Sequence, residues 1–307
     1  MSRPELWAPS VGELVGTCAD AAGALAVVAD GGRLVVGHAD GRVRCVDLAA
    51  GATIWWGAEQ HGPVLQVLAR TPDGQRLATA AEDRVVRIWD AATGEVIGRQ
   101  EHAATVFGLR FAPDGQHLAT AGADDTVGVT RTATGERVIT CEGHDAWVTS
   151  VDWSPDGGRL ASGSNDATAR IWDAGSGAEL ERRDLADKVL AVAWHPSATW
   201  LAVGLDDGAV SLFDVRTPAV EPTRFRADDG SVNDLAWSPD GRLLATAGDH
   251  TVAIWDPHAQ RPLLRFALAG AYAHRLSWAP RATFIAASLH GDRVQLWDTR
   301  AALAAGS

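Results

Sequence analysis

Positive charge is scarce in this sequence: 27 Lys and Arg stand against 39 Asp and Glu, a formal net charge of −12. Phosphate binding needs concentrated cations, so the balance argues against a nucleic-acid partner. An acidic surface favours solubility and attracts basic partners over others. Cysteine is also rare. Cys18, Cys45 and Cys141 show no CxxC spacing and leave one odd thiol, which fits a reducing compartment better than a disulfide framework. No run of about 18 apolar residues occurs, so no membrane span is expected. The start, "MSRPELWAPS", lacks an uninterrupted apolar core and a small-residue cleavage site, so a cytoplasmic location is expected. Long amphipathic patterns are missing too, and Tyr and Met occur once each.

Tryptophan and turn residues are abundant instead. There are 13 Trp and 32 Gly, and Asp-Gly and Pro-Asp pairs punctuate short apolar runs, the signature of many strands and tight turns. The runs repeat. "IWDAATGE" at 88–95 returns as "IWDAGSGAE" at 171–179, "IWDPHAQR" at 254–261 and "LWDTRAAL" at 296–303. Aligned on the Asp of this motif, seven units appear, at Asp47, Asp90, Arg131, Asp173, Asp214, Asp256 and Asp298, spaced 41–43 residues apart. In the fourth unit, Val148–Trp153 alternates apolar and polar residues, "SPDGG" turns, "RLASGS" runs back, "ND" turns, "TARIWD" follows, and "AELER" ends the unit. Alternation between such turns predicts four antiparallel strands per unit. One such sheet cannot bury both apolar faces, so the units must stack, and seven in a ring make an all-β, seven-bladed β-propeller.

The predicted blades span roughly 19–58, 59–99, 100–141, 142–182, 183–224, 225–267 and 268–300 of a single 1–307 domain. The last unit has no fourth strand of its own. "GELVG" at 12–16 resembles the fourth strands "GEVIG" at 94–98 and "GERVI" at 135–139. A strand within about 3–17 is therefore expected to complete blade seven and close the ring.

Gly-His, Ser-Pro-Asp-Gly, Ala-Ser-Gly-Ser-x-Asp and Ile-Trp-Asp, in this order and about 42 residues apart, resemble the WD-repeat (WD40) family. The resemblance covers essentially the whole chain and is closest to a bacterial-type, single-domain form. It implies a hydrogen-bonded chain from Trp to a Ser/Thr hydroxyl, to His, to a turn Asp. The matching residues are Trp89, Thr79, His61 and Asp83 in blade two, and Trp172, Ser162, His144 and Asp166 in blade four. A His, Ser and Asp can also make a hydrolase triad, but recurrence and the Trp donor favour scaffolding. The other blades depart from this pattern. Blade three has His102, Thr120 and Asp124 with Thr130 and Arg131 in place of Trp-Asp, half a network, and is expected to be the softest. Blade five has apolar Leu185, Val203 and Phe213 beside Asp207. Blade six has Trp255, Thr246 and Asp249 without His. Blade seven has Trp297 and Asp292, and blade one has Val46 and Asp40. Trp153, Trp194, Trp237 and Trp278 recur in phase and read as inter-blade core. Of Trp55 and Trp56, at least one should face outward.

No metal spacing, phosphate loop or nucleophile elbow is present, and neither a metal nor a cofactor is expected. His38, His250 and His290 occupy equivalent turns of neighbouring blades, too far apart for bonds of about 2 Å to one ion. The resemblance implies a rigid platform that binds proteins or peptides on the face formed by the fourth-to-first and second-to-third strand loops. The candidates there are Thr105, Trp147, Lys188, Ser231 and Tyr272 before the first strands, and Glu82, Asn165, Asp206 and His290 beside the turn Asp. Asp145, Asp187, Asp228 and Asp229 lie in the loops leading in, and would suit an Arg- or Lys-containing ligand. The leading reading is a non-catalytic scaffold for a separate protein or peptide. The alternatives are a propeller hydrolase or lactonase with a channel metal, and a structural subunit assembling through blade edges and Trp55 or Trp56.

Overall fold

Period-two patterning and tight turns shape each repeat into one sheet. The structure, a computed structural model, describes residues 14–19, 25–27, 32–38, 40–62, 65–268, 270–279, 284–290 and 293–300. These form seven four-stranded antiparallel sheets. Blade four is typical, with strands Val148–Trp153, Arg159–Ser164, Thr168–Asp173 and Glu179–Asp184 in sequential order. Its second strand, "RLASGS", is buried over all but its first residue, because both sheet faces are covered by neighbouring blades. The small Ala, Ser and Gly of that strand allow the close approach. Its fourth strand, "ELERRD", carries charge and lies half-buried or exposed at the rim. Burial thus falls from the ring interior to the rim, as the polarity of each strand dictates.

The ring closes through the ends of the chain. Leu14–Ala19 pairs antiparallel with Arg293–Asp298, with Thr17 opposite Gln295, as the fourth strand of blade seven. The closing strand therefore runs a little later than the expected 3–17, and residues 3–13 lie outside the described residues. Closure covers the edge of Arg293–Asp298 and ties the two ends of the chain into one blade.

Two local devices repeat around the ring. Strand pairing slips by one residue at the Trp position of blades two, four and six, between Ile88 and Trp89, Ile171 and Trp172, and Ile254 and Trp255. Such a bulge bends the strand and re-aims the side chain, here an indole directed between blades. The second device is the turn between strands two and three. Arg84, Asp125 and Ala167 hold positive φ there, at 60, 62 and 63°. The preceding Asp offsets that strain by accepting the backbone N–H two residues on: Asp83 from Val85, Asp124 from Thr126 and Asp166 from Thr168. Among the described residues no helix is long and apolar enough to cross a membrane.

Candidate partner-binding face

The repeated motif residues meet as hydrogen-bonded chains. In blade four the Trp172 indole N–H donates to Ser162 Oγ at 2.8 Å, Ser162 lies 2.7 Å from His144 Nε2, and His144 Nδ1 lies 2.8 Å from Asp166. Burial raises the Asp166 carboxyl, but hydrogen bonds from Thr168 and His144 overcome this and bring it to about 2. The carboxylate must accept, so His144 donates through Nδ1 and accepts the Ser162 O–H at Nε2. Every donor in the chain then points one way. In blade two, Trp89 donates to Thr79 at 2.8 Å, and His61 bridges Thr79 at 2.6 Å and Asp83 at 3.1 Å. An arginine extends both chains: Arg87 lies 2.7 Å from Asp83, and Arg170 lies 3.7 Å from Asp166 and 2.6 Å from Glu179. Sequence reading missed these arginines, although each sits two residues before the Trp.

The departing blades differ physically. In blade three Thr130 turns to Gln100 Oε1 at 2.9 Å, and the buried Nε2 of His102 has no hydrogen-bond partner. Blade five closes as an apolar cluster around Val203 and Phe213 with Leu185 packed against it. In blade six Trp255 donates to Thr246 at 3.1 Å. Asp228, expected among the solvent-facing acids, is instead buried and ties the second-to-third-strand turn, as Asp166 does in blade four. It accepts from the backbone of Gly230, His250 and Thr251, from the Thr251 hydroxyl and from His250 Nδ1. Asp292 of blade seven lies outside the described residues.

The in-phase tryptophans pin adjacent blades. Trp153, Trp237 and Trp278 donate to the carbonyls of Arg110, Ala193 and Ala236 on the preceding first strand, at 3.0–3.1 Å. Trp194 is buried without a partner for its N–H and carries the Arg159 guanidinium over its ring instead. Trp237 is only half-buried, so it is a cavity wall and not core throughout. Trp55 is buried and donates to Ala91, whereas Trp56 is 43% exposed beside Arg42 and Arg44.

The loops leading into the first strands are tied to the turns beside them. Backbone N–H groups of Asn165, Asp206, His290 and Ala123 donate to the carbonyls of Trp147, Lys188, Tyr272 and Thr105 respectively, at 2.8–3.0 Å. Trp147 is 52% exposed, and its ring sits 5.5 Å from that of Phe107 in blade three. Tyr272 is 37% exposed, stacks on His290 at 4.6 Å and meets His274 at its edge. Burial, with Arg275 and His290 nearby, holds the His274 imidazole down at about 4, so that it stays neutral. Ser231 donates to Asp206 at 2.8 Å, and Lys188 lies 3.6 Å from the same carboxylate. Asp206 is thus partly satisfied within the chain, while Glu82 and Asp145 are exposed. Phe107 and His274 escaped the sequence reading; their position, second in the first strand, is the signal that would have found them.

His38, His250 and His290 do not converge. His38 packs on Trp56, His250 bonds Asp228, and His290 stacks on Tyr272. Charged residues of the first strands line the channel instead. Arg110 lies 3.4 Å from Asp152, which accepts the backbone N–H of Trp194 at 2.8 Å, and Asp234 accepts the backbone N–H of Leu276 at 2.7 Å. Arg275 of blade seven reaches across to donate to the Phe107 carbonyl of blade three at 2.9 Å. The cavity left there is about 30 Å³, too small for an organic substrate.

Seven four-stranded blades, closed by an N-terminal strand and carrying recurrent Trp–hydroxyl–His–Asp chains, define a WD-repeat β-propeller. The family model described as IFT122 first beta-propeller matches residues 71–305, and the chain belongs to that family. It is similar to Protein FIZZY-RELATED 1 of Arabidopsis thaliana, 29% identical over 164 residues, which cover 51% of this chain and 34% of that one. The Anaphase-promoting complex subunit cdc20 of Dictyostelium discoideum is 30% identical over 53% of this chain and 34% of its own length. THO complex subunit 3 of Arabidopsis thaliana is 28% identical over 44% of this chain and 42% of its own. The chain therefore spans well under half the length of these curated relatives.

Proposed function

We propose that the chain is a non-catalytic scaffold that captures a separate protein or peptide on the face formed by the fourth-to-first and second-to-third strand loops. The observation that carries this reading is the exposed Trp147, braced by Phe107 beside a loop tied down by the Asn165 backbone. A large aromatic held rigid yet open to water loses little entropy on binding, which is why Trp and Tyr anchor interfaces. Tyr272, stacked on His290, is a second such anchor. Exposed Glu82 and Asp145 suit an Arg or Lys side chain of the partner, whereas Asp206 must first release Lys188 and Asp229 must release Arg226. Two relatives whose names make them subunits of larger complexes support an assembly role. The cytoplasm suits a chain in which Cys45 and Cys141, among the described residues, are free thiols.

The enzymatic alternative needs His and carboxylates free to converge in the channel. Among the described residues no three His, Cys, Asp or Glu converge as a metal site, and the channel carboxylates are engaged by backbone N–H groups and arginine. Rim assembly is the second reading, favoured by Ile54 and Trp56 exposed on the outer strand of blade one. Capture from native-host lysate by wild type, compared with Trp147→Ala, Lys188→Ala, Tyr272→Ala, tests the first. A specific protein lost only with the folded variant supports it. Identical partners on both, with mass rising with concentration, would favour the rim.

A further inference from the structure

On the opposite face, blade five breaks the turn that blades two, four and six share. Those blades read Thr71-Pro-Asp73-Gly74, Ser154-Pro-Asp156-Gly157 and Ser238-Pro-Asp240-Gly241, with the hydroxyl 2.6 Å from the carboxylate. Blade five reads His195-Pro-Ser197-Ala198, so an acidic turn becomes neutral. Ala198 still takes the left-handed conformation, φ 57°, where the others have Gly. L-residues resist that region by about 1–2 kcal/mol. Beside this turn lies a cavity of about 170 Å³, between blades five and six.

The walls of the cavity specify a guest. Trp200, Trp237 and Leu212 supply apolar surface, and His258 meets the Trp200 ring edge-on. The volume suits one aromatic ring, since cavities of about 150 Å³ take up benzene. The polar wall has a defined hydrogen direction. His195 Nε2 faces the Gly241 carbonyl at 2.8 Å, and a carbonyl only accepts, so Nε2 carries the hydrogen. Gly241 is required for this approach, because a Cβ there would lie 2.5 Å from Nε2. The Ser197 backbone N–H points at Nδ1 from 3.0 Å, so Nδ1 accepts. Ser197 Oγ, 2.7 Å from Nδ1, therefore donates to it, and Thr199, 2.6 Å from Ser197 Oγ, must donate to Ser197. Both hydroxyl hydrogens of this turn are consumed internally, so the turn offers the lone pairs of Thr199 as acceptors to the cavity it shares with Thr223 and His258.

We propose that this cavity is a binding site for a single aromatic ring bearing a hydrogen-bond donor, a phenol or an indole N–H. The ring comes either from a free small molecule or from a Tyr or Trp side chain of a partner. Titrating p-cresol and toluene into the intact protein, followed through the indole N–H resonances of Trp200 and Trp237, tests it without any variant. Trp200→Phe and Trp237→Phe assign the two signals. Saturable shifts at both, with p-cresol about tenfold tighter than toluene, are expected from one added hydrogen bond. In Thr199→Val that preference should fall to near unity while toluene affinity stays. No shift with p-cresol at its solubility limit, equal affinity for the two probes, or an unchanged preference in Thr199→Val would each overturn the proposal. Under the proposal, N-acetyl-tyrosinamide identifies the source: shifts at the same resonances mean a side chain, and their absence beside p-cresol binding means a free small molecule.

Discussion

Removing one hydroxyl from blade four should cost more than removing the whole chain of polar groups it belongs to. Ser162 is fully buried and serves two partners, the Trp172 N–H at 2.8 Å and His144 Nε2 at 2.7 Å. Ser162→Ala leaves both without a partner in a site closed to water. Each unsatisfied group costs about 1–3 kcal/mol, so the loss should be about 3 kcal/mol. At roughly 2.1 cal/mol/K of unfolding entropy per residue, that lowers the midpoint of a chain this long by about 5 °C. Blade five shows the apolar solution at the same positions, Leu185, Val203 and Phe213. The triple variant His144→Leu, Ser162→Val, Trp172→Phe copies it. Asp166 would not be stranded, because it keeps the Thr168 N–H and hydroxyl and the Asp145 N–H. The triple should therefore cost less than about 2 kcal/mol, below the single substitution. Urea unfolding followed by circular dichroism would measure both. A triple that costs about 5 kcal/mol or more would refute the argument, since the polar groups would then add independently.

Acid should destabilise the fold in two steps. Burial, with Arg87 and Arg170 adding to it, holds His61 and His144 below the ordinary imidazole value. The unfolded chain therefore takes up protons first, and stability present above pH ~6.5 is lost as pH falls below that value. A second loss follows between about pH 4 and 2, where Asp83 and Asp166, each brought to about 2, are protonated. A urea midpoint that rises from pH 7.5 to pH 5 would contradict this; exposed His250, raised by Asp228, acts in the opposite direction and weakly. Arg275→Met should lower the unfolding free energy by about 1–2 kcal/mol by breaking the cross-channel bond to Phe107, and an unchanged urea midpoint would deny that bond a role. Burial pushes the Cys141 thiol up to about 12, so native protein at pH 8 should leave it unalkylated by iodoacetamide until urea is added.

Periodicity carried the fold because it depends on local chemistry. Turn pairs every 8–12 residues and a period near 42 need no knowledge of distant contacts, and even ring closure was legible from "GELVG". The Trp–hydroxyl–His–Asp chains were legible for the same reason, since their members keep a fixed offset from the turn. What the sequence concealed depends on neighbours. Asp228 looks like a loop acid, yet in the folded blade it is buried and accepts from the His250–Thr251 turn, a role that Asp166 fills in blade four. Arg275 looks like any polar residue of a first strand, and only the closed ring brings Phe107 within 2.9 Å. Lys188 and Asp206 read as two separate contacts, but adjacency across one turn makes them partners. Asp229 pairs with Arg226 in the same way, so the acidic character of the face is concentrated at Glu82 and Asp145.

Backbone hydrogen exchange on the captured complex tests the central claim most directly. The account predicts protection confined to the loops before the first strands, around residues 145–147, 187–188, 229–231 and 271–272, and to the facing turns at Glu82, Asn165, Asp206 and His290. Protection at the turns of the opposite face, or along the outer strand Ala52–Trp56, would contradict it and move the interface elsewhere.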